Sequence, residues 1–149
     1  MFLLPVCDST FDGCTKMIYH VNKTIEETET GRGVLTGIIR KYYRAYESKD
    51  RAVLDGLLAH DFTFTSPHGD DHIDVKKYFE KCWPEAGKID SFDVDKVIGD
   101  GDDAFVRYRC LTTSGRSFRN VEYFRFENGK IKEIEVFFGA GQGFASNEG

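Results

Sequence analysis

One stretch of the chain decides the fold: Asn120-Val121-Glu122-Tyr123-Phe124-Arg125-Phe126-Glu127-Asn128-Gly129-Lys130-Ile131. Asn128-Gly129 separates two runs rich in β-branched and aromatic residues, and both residues tolerate the positive φ of a type I′ turn. Because side chains alternate along a strand, Glu122 shares its face with Phe124 and Phe126. A carboxylate on such a face is costly to bury unless it is hydrogen-bonded or protonated. The stretch therefore predicts a β-hairpin and makes Glu122 the first candidate for a functional residue.

The composition is typical of a single globular domain without a nucleic-acid or membrane partner. The chain has 149 residues, of which 40% are hydrophobic and 30% charged, and its net charge is -5. This charge provides no basic field for nucleic acid, and no apolar run reaches the length of a membrane span. The four cysteines show no CxxC spacing, which favours a reduced, cytoplasmic protein over a disulfide framework.

The pattern of helices and strands divides the chain into three parts. Residues 1–30 are polar and irregular and predict an extension ahead of the domain, whereas residues 140–149 predict a flexible tail. Residues 31–139 carry three helices, beginning near Val34, Arg51 and Asp74, and then consecutive strand-like runs after Ile89. This order predicts an α+β domain in which three N-terminal helices pack on a curved, antiparallel β-meander.

Apolar spacing and capping residues define the individual elements. The first helix carries an apolar stripe at helical spacing, formed by Leu35, Ile38, Ile39, Tyr42 and Tyr46. Asp50 and Asp74 are placed to cap the second and third helices. Phe62–Ser66 alternates as a short strand, which Pro67 ends.

The order of these patterns resembles the SnoaL-like branch of the nuclear transport factor 2-like superfamily. The resemblance covers residues from about 34 to 139 and rests on Tyr42, Lys49-Asp50, the run Asp61–Pro67 and the closing run Glu122–Gly139. It implies a cone-shaped fold with a small apolar pocket, and a homodimer formed through the outer face of the sheet. The superfamily contains isomerases, cyclases, dehydratases, hydrolases and non-catalytic binding domains, so the fold implies no single activity.

The ketosteroid isomerases of that superfamily allow a comparison residue by residue. They place a helical tyrosine and a protonated aspartic acid against the substrate oxygen, and an aspartate before a proline supplies the base. By this resemblance, the tyrosine falls on Tyr42, the acid on Glu122 and the base on Ser66. A serine has no proton affinity near neutrality, so the base is missing. The supporting tyrosines of those enzymes fall on Leu58 and Phe79, which implies that their hydrogen-bond network is missing too.

The predicted site is centred on Glu122 and Tyr42, which are the expected catalytic residues if the protein is an enzyme. The predicted ligand-binding residues are Asn120, Ser66, Trp83, Phe64, Phe124 and Phe138. Each has a purely structural alternative. Glu122 could be a buried carboxylate satisfied by Tyr42 or Asn120 without any substrate, and the aromatic residues could belong to the core.

The run His68-Gly69-Asp70-Asp71-His72-Ile73-Asp74 concentrates histidine and aspartate. These residue types suit zinc or iron, and His72 alone could reach the pocket mouth as an acid/base group. The alternative is a solvated loop whose aspartates turn the chain and cap the next helix. The glycine favours that loop, so we expect no metal and no cofactor and keep His72 as a reserve catalytic residue.

Two functions fit these observations. The first is a SnoaL-like domain that binds a small, partly hydrophobic molecule in the cone pocket. The second is a cofactor-independent acid/base enzyme, such as a cyclase, isomerase or dehydratase. The missing base at Ser66 favours binding, whereas the buried acid Glu122 favours catalysis.

Overall fold

The computed structural model describes residues 31–138. The predicted extension over residues 1–30 and the predicted tail over residues 140–149 lie outside the described residues. The elements follow in the order α1 (residues 31–48), α2 (Arg51–Leu57), β1 (Leu58–Ser66), β2 (Asp70–Asp74), α3 (Val75–Lys81), a 3₁₀-helix (Trp83–Lys88), β3 (Ile89–Asp100), β4 (Asp103–Thr112), β5 (Ser117–Glu127) and β6 (Lys130–Phe137). The α+β fold class is confirmed.

The helices form where the apolar spacing and the caps predict them. The predicted stripe of α1 is turned inward, with Ile39 fully buried. The helix is already present at residue 31, so the predicted start near Val34 is late. The Asp50 carboxylate accepts from the Val53 amide at 3.0 Å, and the Asp74 carboxylate accepts from the Lys77 amide at 2.9 Å. These bonds satisfy amides of the first turn that have no partner within the helix.

The sheet is mixed, because it contains a parallel pairing in addition to the predicted antiparallel meander. Its strand order is β2-β1-β6-β5-β4-β3, and β3 to β6 form the predicted antiparallel meander. β1 instead lies parallel to β6. A hairpin forces antiparallel pairing, but β1 and β6 are joined through the whole of the intervening chain, so either direction was open. The alternation of side chains along β1 identifies it as a strand but does not identify the strand with which it pairs.

The segment predicted as a solvated loop contains an edge strand. Asp70–Asp74 forms β2, which pairs antiparallel with β1 after a turn in which Gly69 has a φ of 85°. An edge strand needs pairing on one side only and is commonly rich in charge, so it lacks the apolar alternation that identifies an inner strand.

The hairpin between β5 and β6 forms as predicted. Asn128 and Gly129 have φ values of 50° and 72°, and Glu127 pairs with Lys130 across the turn. On β5, Glu122, Phe124 and Phe126 are buried, which confirms the predicted face.

Strand register places four residues in one row across the sheet, called the cavity row below. Asp70 pairs with Ser66, and Glu122 pairs with Val136. Because Thr65 pairs with Glu135 in the parallel ladder, the next residues, Ser66 and Val136, are also neighbours. The order is therefore Asp70–Ser66–Val136–Glu122.

Aromatic contacts hold the helices against the face of the sheet that carries the cavity row. Tyr42 of α1 meets Phe124 of β5 with ring centroids 5.3 Å apart, and Tyr78 of α3 meets Phe62 of β1 at 5.1 Å. The opposite face exposes Phe105 and Phe137, and Phe105 contacts Tyr123 at 5.3 Å. The homodimer through this outer face stays a prediction. None of the helices in residues 31–138 has the length and apolar character needed to cross a bilayer.

The hairpin turn generates a stability prediction. Gly129→Ala should lower the free energy of unfolding by about 1 kcal/mol, because a side chain disfavours positive φ even where space is open. Urea denaturation measures the change. Gly87→Ala is the control, since Gly87 also has open space around it but lies in the 3₁₀-helix without a positive φ. Equal losses in the two variants would contradict this account of the turn.

Candidate functional site

A cavity of about 610 Å³ lies between the helices and the inner face of the sheet. About half of the residues on its wall are aromatic, and these are Tyr42, Tyr43, Tyr46, Phe64, Tyr78, Phe92, Tyr108, Phe118 and Phe138. The polar residues on its wall are Ser66, His68, Asp70, Lys81, Cys82, Glu85, Asn120 and Glu122. An apolar cavity with a small number of placed polar groups is the usual form of a small-molecule site.

Glu122 is the buried polar centre of this cavity, with only 6% of its surface exposed. Its Oε2 accepts from the Tyr43 hydroxyl at 2.7 Å, and its Oε1 accepts from the Tyr108 hydroxyl at 2.9 Å. Asn120 Nδ2 donates in turn to the Tyr108 hydroxyl at 3.2 Å. Burial raises the pKa of Glu122 to about 7, against the opposing effect of the two tyrosine hydrogen bonds. The carboxyl group can therefore exist in both protonation states near neutral pH.

The tyrosine of α1 that holds Glu122 is Tyr43 and not the predicted Tyr42. The Tyr42 hydroxyl is hydrogen-bonded at 2.9 Å to that of Tyr78, which is bonded at 2.5 Å to that of Tyr46. The predicted apolar stripe of α1 left out Tyr43, although Tyr43 follows Ile39 at the helical spacing of four residues. Periodicity identifies a helical face, and only packing decides which of two adjacent tyrosines meets Glu122.

A tyrosine network is present, although the ketosteroid isomerase resemblance implied its loss. The positions that matched the supporting tyrosines, Leu58 and Phe79, are apolar, but Tyr46 and Tyr78 supply hydroxyls from other positions. Burial raises the pKa of Tyr42 and Tyr78 well above their ordinary value. These groups stay neutral at physiological pH and act as hydrogen-bonding hydroxyls.

A second buried carboxylate, Asp70, stands beside Ser66, where the resemblance placed the missing base. Ser66 Oγ donates to Asp70 Oδ2 at 2.8 Å, and Lys81 Nζ forms an ion pair with Asp70 Oδ1. Burial tends to raise the pKa of Asp70, but the bonds from Lys81 and Ser66 outweigh it and lower the pKa overall. Sequence reasoning missed this role because it assigned Asp70 to a loop, whereas β2 pairs it directly with Ser66.

The other predicted site residues divide between the cavity wall and its surroundings. Phe64, Ser66, Asn120 and Phe138 line the cavity, as does Tyr42. Trp83 packs behind it against Tyr46, with ring centroids 5.3 Å apart, and Phe124 is fully buried beneath Tyr42.

His72 lies outside the cavity wall. It is exposed, its Nδ1 is 2.5 Å from Asp71 Oδ1, and this contact raises its pKa. The described residues contain no group of three or more His, Cys, Asp or Glu side chains that could hold a metal ion. Because His72 is not among the residues that line the cavity, its side chain does not contact the space in which a ligand would bind.

Glu122→Gln tests the electrostatic cost of burying this group. The pKa of Glu122 is about 7 in the folded protein, above its ordinary value of 4.5. Its contribution to the free energy of unfolding is therefore fully present below pH 4.5 and is lost as the pH rises to 7. Relative to the uncharged Gln variant, the wild type should lose about 3 kcal/mol over this interval and then level off. Urea denaturation at stepped pH measures the difference. Curves that stay parallel from pH 4 to 8 would contradict this account and show that Glu122 is solvated.

Several solved structures share this architecture. A 24% identical NTF2-like protein from Burkholderia pseudomallei superposes with a TM-score of 0.57 over 70% of this chain and 89% of its own. A proposed polyketide cyclase from Sinorhizobium meliloti, 23% identical, gives 0.59 over 68% and 94%. A protein with a ketosteroid isomerase-like fold from Catenulispora acidiphila, solved in complex with trimethylamine, is 12% identical and gives 0.59 over 70% and 87%. These likenesses establish the fold alone.

The search of curated proteins gave no match. A family model for the SnoaL-like domain, in contrast, matches residues 39–134, which are more than half of the chain. This match confirms the resemblance inferred from the sequence, and the protein belongs to the SnoaL-like domain family.

Proposed function

We propose that the protein binds a small, partly apolar molecule in the cavity, with Glu122 as its polar anchor. The observation that carries this proposal is the buried Glu122 carboxyl group, held by two tyrosine hydroxyls on the wall of an aromatic cavity. A volume of about 610 Å³ lies within the range of small-molecule sites, roughly 300–1,000 Å³.

The positions of the polar residues in the cavity row indicate the shape of the expected ligand. Ser66 and Glu122 lie on either side of Val136, so their Cα atoms are about 10 Å apart at two strand spacings. A ligand that reaches both polar groups has an apolar middle that packs on Val136.

Filling the middle of the cavity row tests ligand binding. The neutral fluorophore 2-naphthol serves as the probe, and Val136→Phe should weaken its binding at least about tenfold, because the added ring occupies the space next to Glu122. Val121→Phe is the matched control on β5, where Val121 pairs with Phe137 and lies on the opposite face from Glu122. Fluorescence titration measures both. No binding by the wild type, or equal binding by the two variants, would contradict the proposal.

A second candidate function is acid/base catalysis, favoured by the pKa of about 7 at Glu122. A group that titrates near the working pH is best suited to move a proton. Glu122 would accept or donate the proton, and the Tyr42 hydroxyl would hydrogen-bond a developing oxyanion. Asp70, ionised beside Ser66, would supply the carboxylate that the serine itself cannot replace.

Proton exchange tests catalysis without knowledge of the natural substrate. With 2-tetralone in D₂O, the wild type should speed exchange of the α-hydrogens, and Glu122→Gln should slow it about a hundredfold. The rate should rise with pH through about 7, because only the ionised Glu122 accepts the proton. NMR follows the exchange, and Glu135→Gln on the outer face of β6 is the control. Exchange no faster than in buffer, or equal in all three proteins, would exclude this activity on such ketones.

A further inference from the structure

The carboxylates on the cavity wall differ in how they are neutralised. Asp70 is paired with Lys81, and the exposed Glu85 is paired with Lys88 at 2.9 Å. Within residues 31–138, no basic side chain contacts Glu122. When Glu122 ionises, its negative charge therefore has no basic partner among these described residues.

The hydrogen bonds around Glu122 leave acceptors and few donors for a ligand. The Tyr43 and Tyr108 hydroxyls each direct their single hydrogen to the Glu122 carboxylate, at 2.7 and 2.9 Å. A carboxylate has about four lone-pair sites, of which these bonds use two. The remaining lone pairs suit a ligand group that donates hydrogen bonds or carries positive charge.

Three aromatic rings stand together at this end of the cavity. Tyr43, Phe92 and Tyr108 are in mutual contact, with centroid distances of 4.9 Å for Tyr43–Phe92, 5.2 Å for Tyr43–Tyr108 and 5.3 Å for Phe92–Tyr108. All three line the cavity, and two of them hold Glu122. The faces of aromatic rings attract cations, most strongly where water is excluded.

We infer that the ligand is an organic ammonium compound, whose cationic nitrogen is held by the Glu122 carboxylate and by the ring cluster of Tyr43, Phe92 and Tyr108. This inference rests on the proposed ligand binding and names its chemical class. An ammonium group provides the missing countercharge, and its alkyl substituents match the aromatic wall. An anionic ligand would instead place a second negative charge beside the buried Glu122 carboxylate.

The protonation of Glu122 makes the binding of a cation depend on pH. The titratable groups near Glu122 are Tyr42, Tyr43 and Tyr46 on α1, Cys82 after α3, and Tyr108 and Cys110 on β4. Burial raises the pKa of each, so all stay neutral between pH 5 and 8. β6 contributes the apolar Val136. Below pH 7 a cation must displace the Glu122 proton, and its affinity falls as pH falls.

A matched pair of probes tests the inference directly. Choline and 3,3-dimethylbutan-1-ol have nearly the same shape, and only choline is charged. NMR titration of the protein should show choline binding at least about tenfold more tightly at pH 8. From pH 7 to 5 the affinity for choline should fall by up to about tenfold per pH unit, while that for the alcohol stays constant.

Two variants test separately the contributions of the Glu122 charge and of the Phe92 ring to choline binding. Glu122→Gln should abolish both the preference for choline over the alcohol and the pH dependence of choline binding, and Glu135→Gln should change neither. Phe92→Leu keeps an apolar side chain without a ring face and should reduce the preference severalfold. The inference is overturned if the alcohol binds as tightly as choline at pH 8, or if choline does not bind. If the inference is overturned but 2-naphthol still binds, the proposed ligand binding remains intact. If 2-naphthol does not bind either, both the inference and the proposed ligand binding are contradicted.

Discussion

The hydrogen bonds of Glu122 are the interaction on which the rest of the structure depends. They join β5, which carries the carboxyl group, to Tyr43 on α1 and Tyr108 on β4. A buried carboxyl group without partners would cost several kcal/mol, on the order of the net stability of a domain. These bonds therefore fix the rotation of α1 over the sheet. With Tyr43 turned to Glu122, the Tyr42 hydroxyl is left to meet Tyr78 of α3, and the two helices are tied together.

The cavity takes its second polar end from the parallel pairing of β1 with β6. This pairing sets Ser66 next to Val136, and β2 then adds Asp70 to the same row. Lys81 closes the row from α3 by pairing with Asp70. A charged edge strand thus protects the open side of the sheet from further pairing and at the same time contributes a carboxylate to the cavity.

The site differs from that of the ketosteroid isomerases in the direction of its hydrogen bonds. Those enzymes aim donors at a substrate oxygen. Here the Tyr43 and Tyr108 hydroxyls donate to Glu122, so the ionised site offers acceptors. The hydroxyls of Tyr42, Tyr46 and Tyr78 form a separate group. The same cone-shaped fold therefore holds polar groups of a different character, and the family alone does not fix the chemistry.

The sequence by itself determined the features that depend on neighbouring residues. The Asn128-Gly129 turn, the caps Asp50 and Asp74, the stripe of α1 and the inward face of Glu122 all follow from φ preferences and side-chain periodicity, which are local. Only the tertiary structure decided the pairing of β1 with β6, the strand β2, the choice of Tyr43 over Tyr42 and the pairing of Asp70 with Ser66. These features depend on which distant surfaces bury each other, because strand direction across a long connection and the rotation of a helix are set by packing. The pKa of Glu122 belongs to the same class, since it follows from the water that the assembled core excludes.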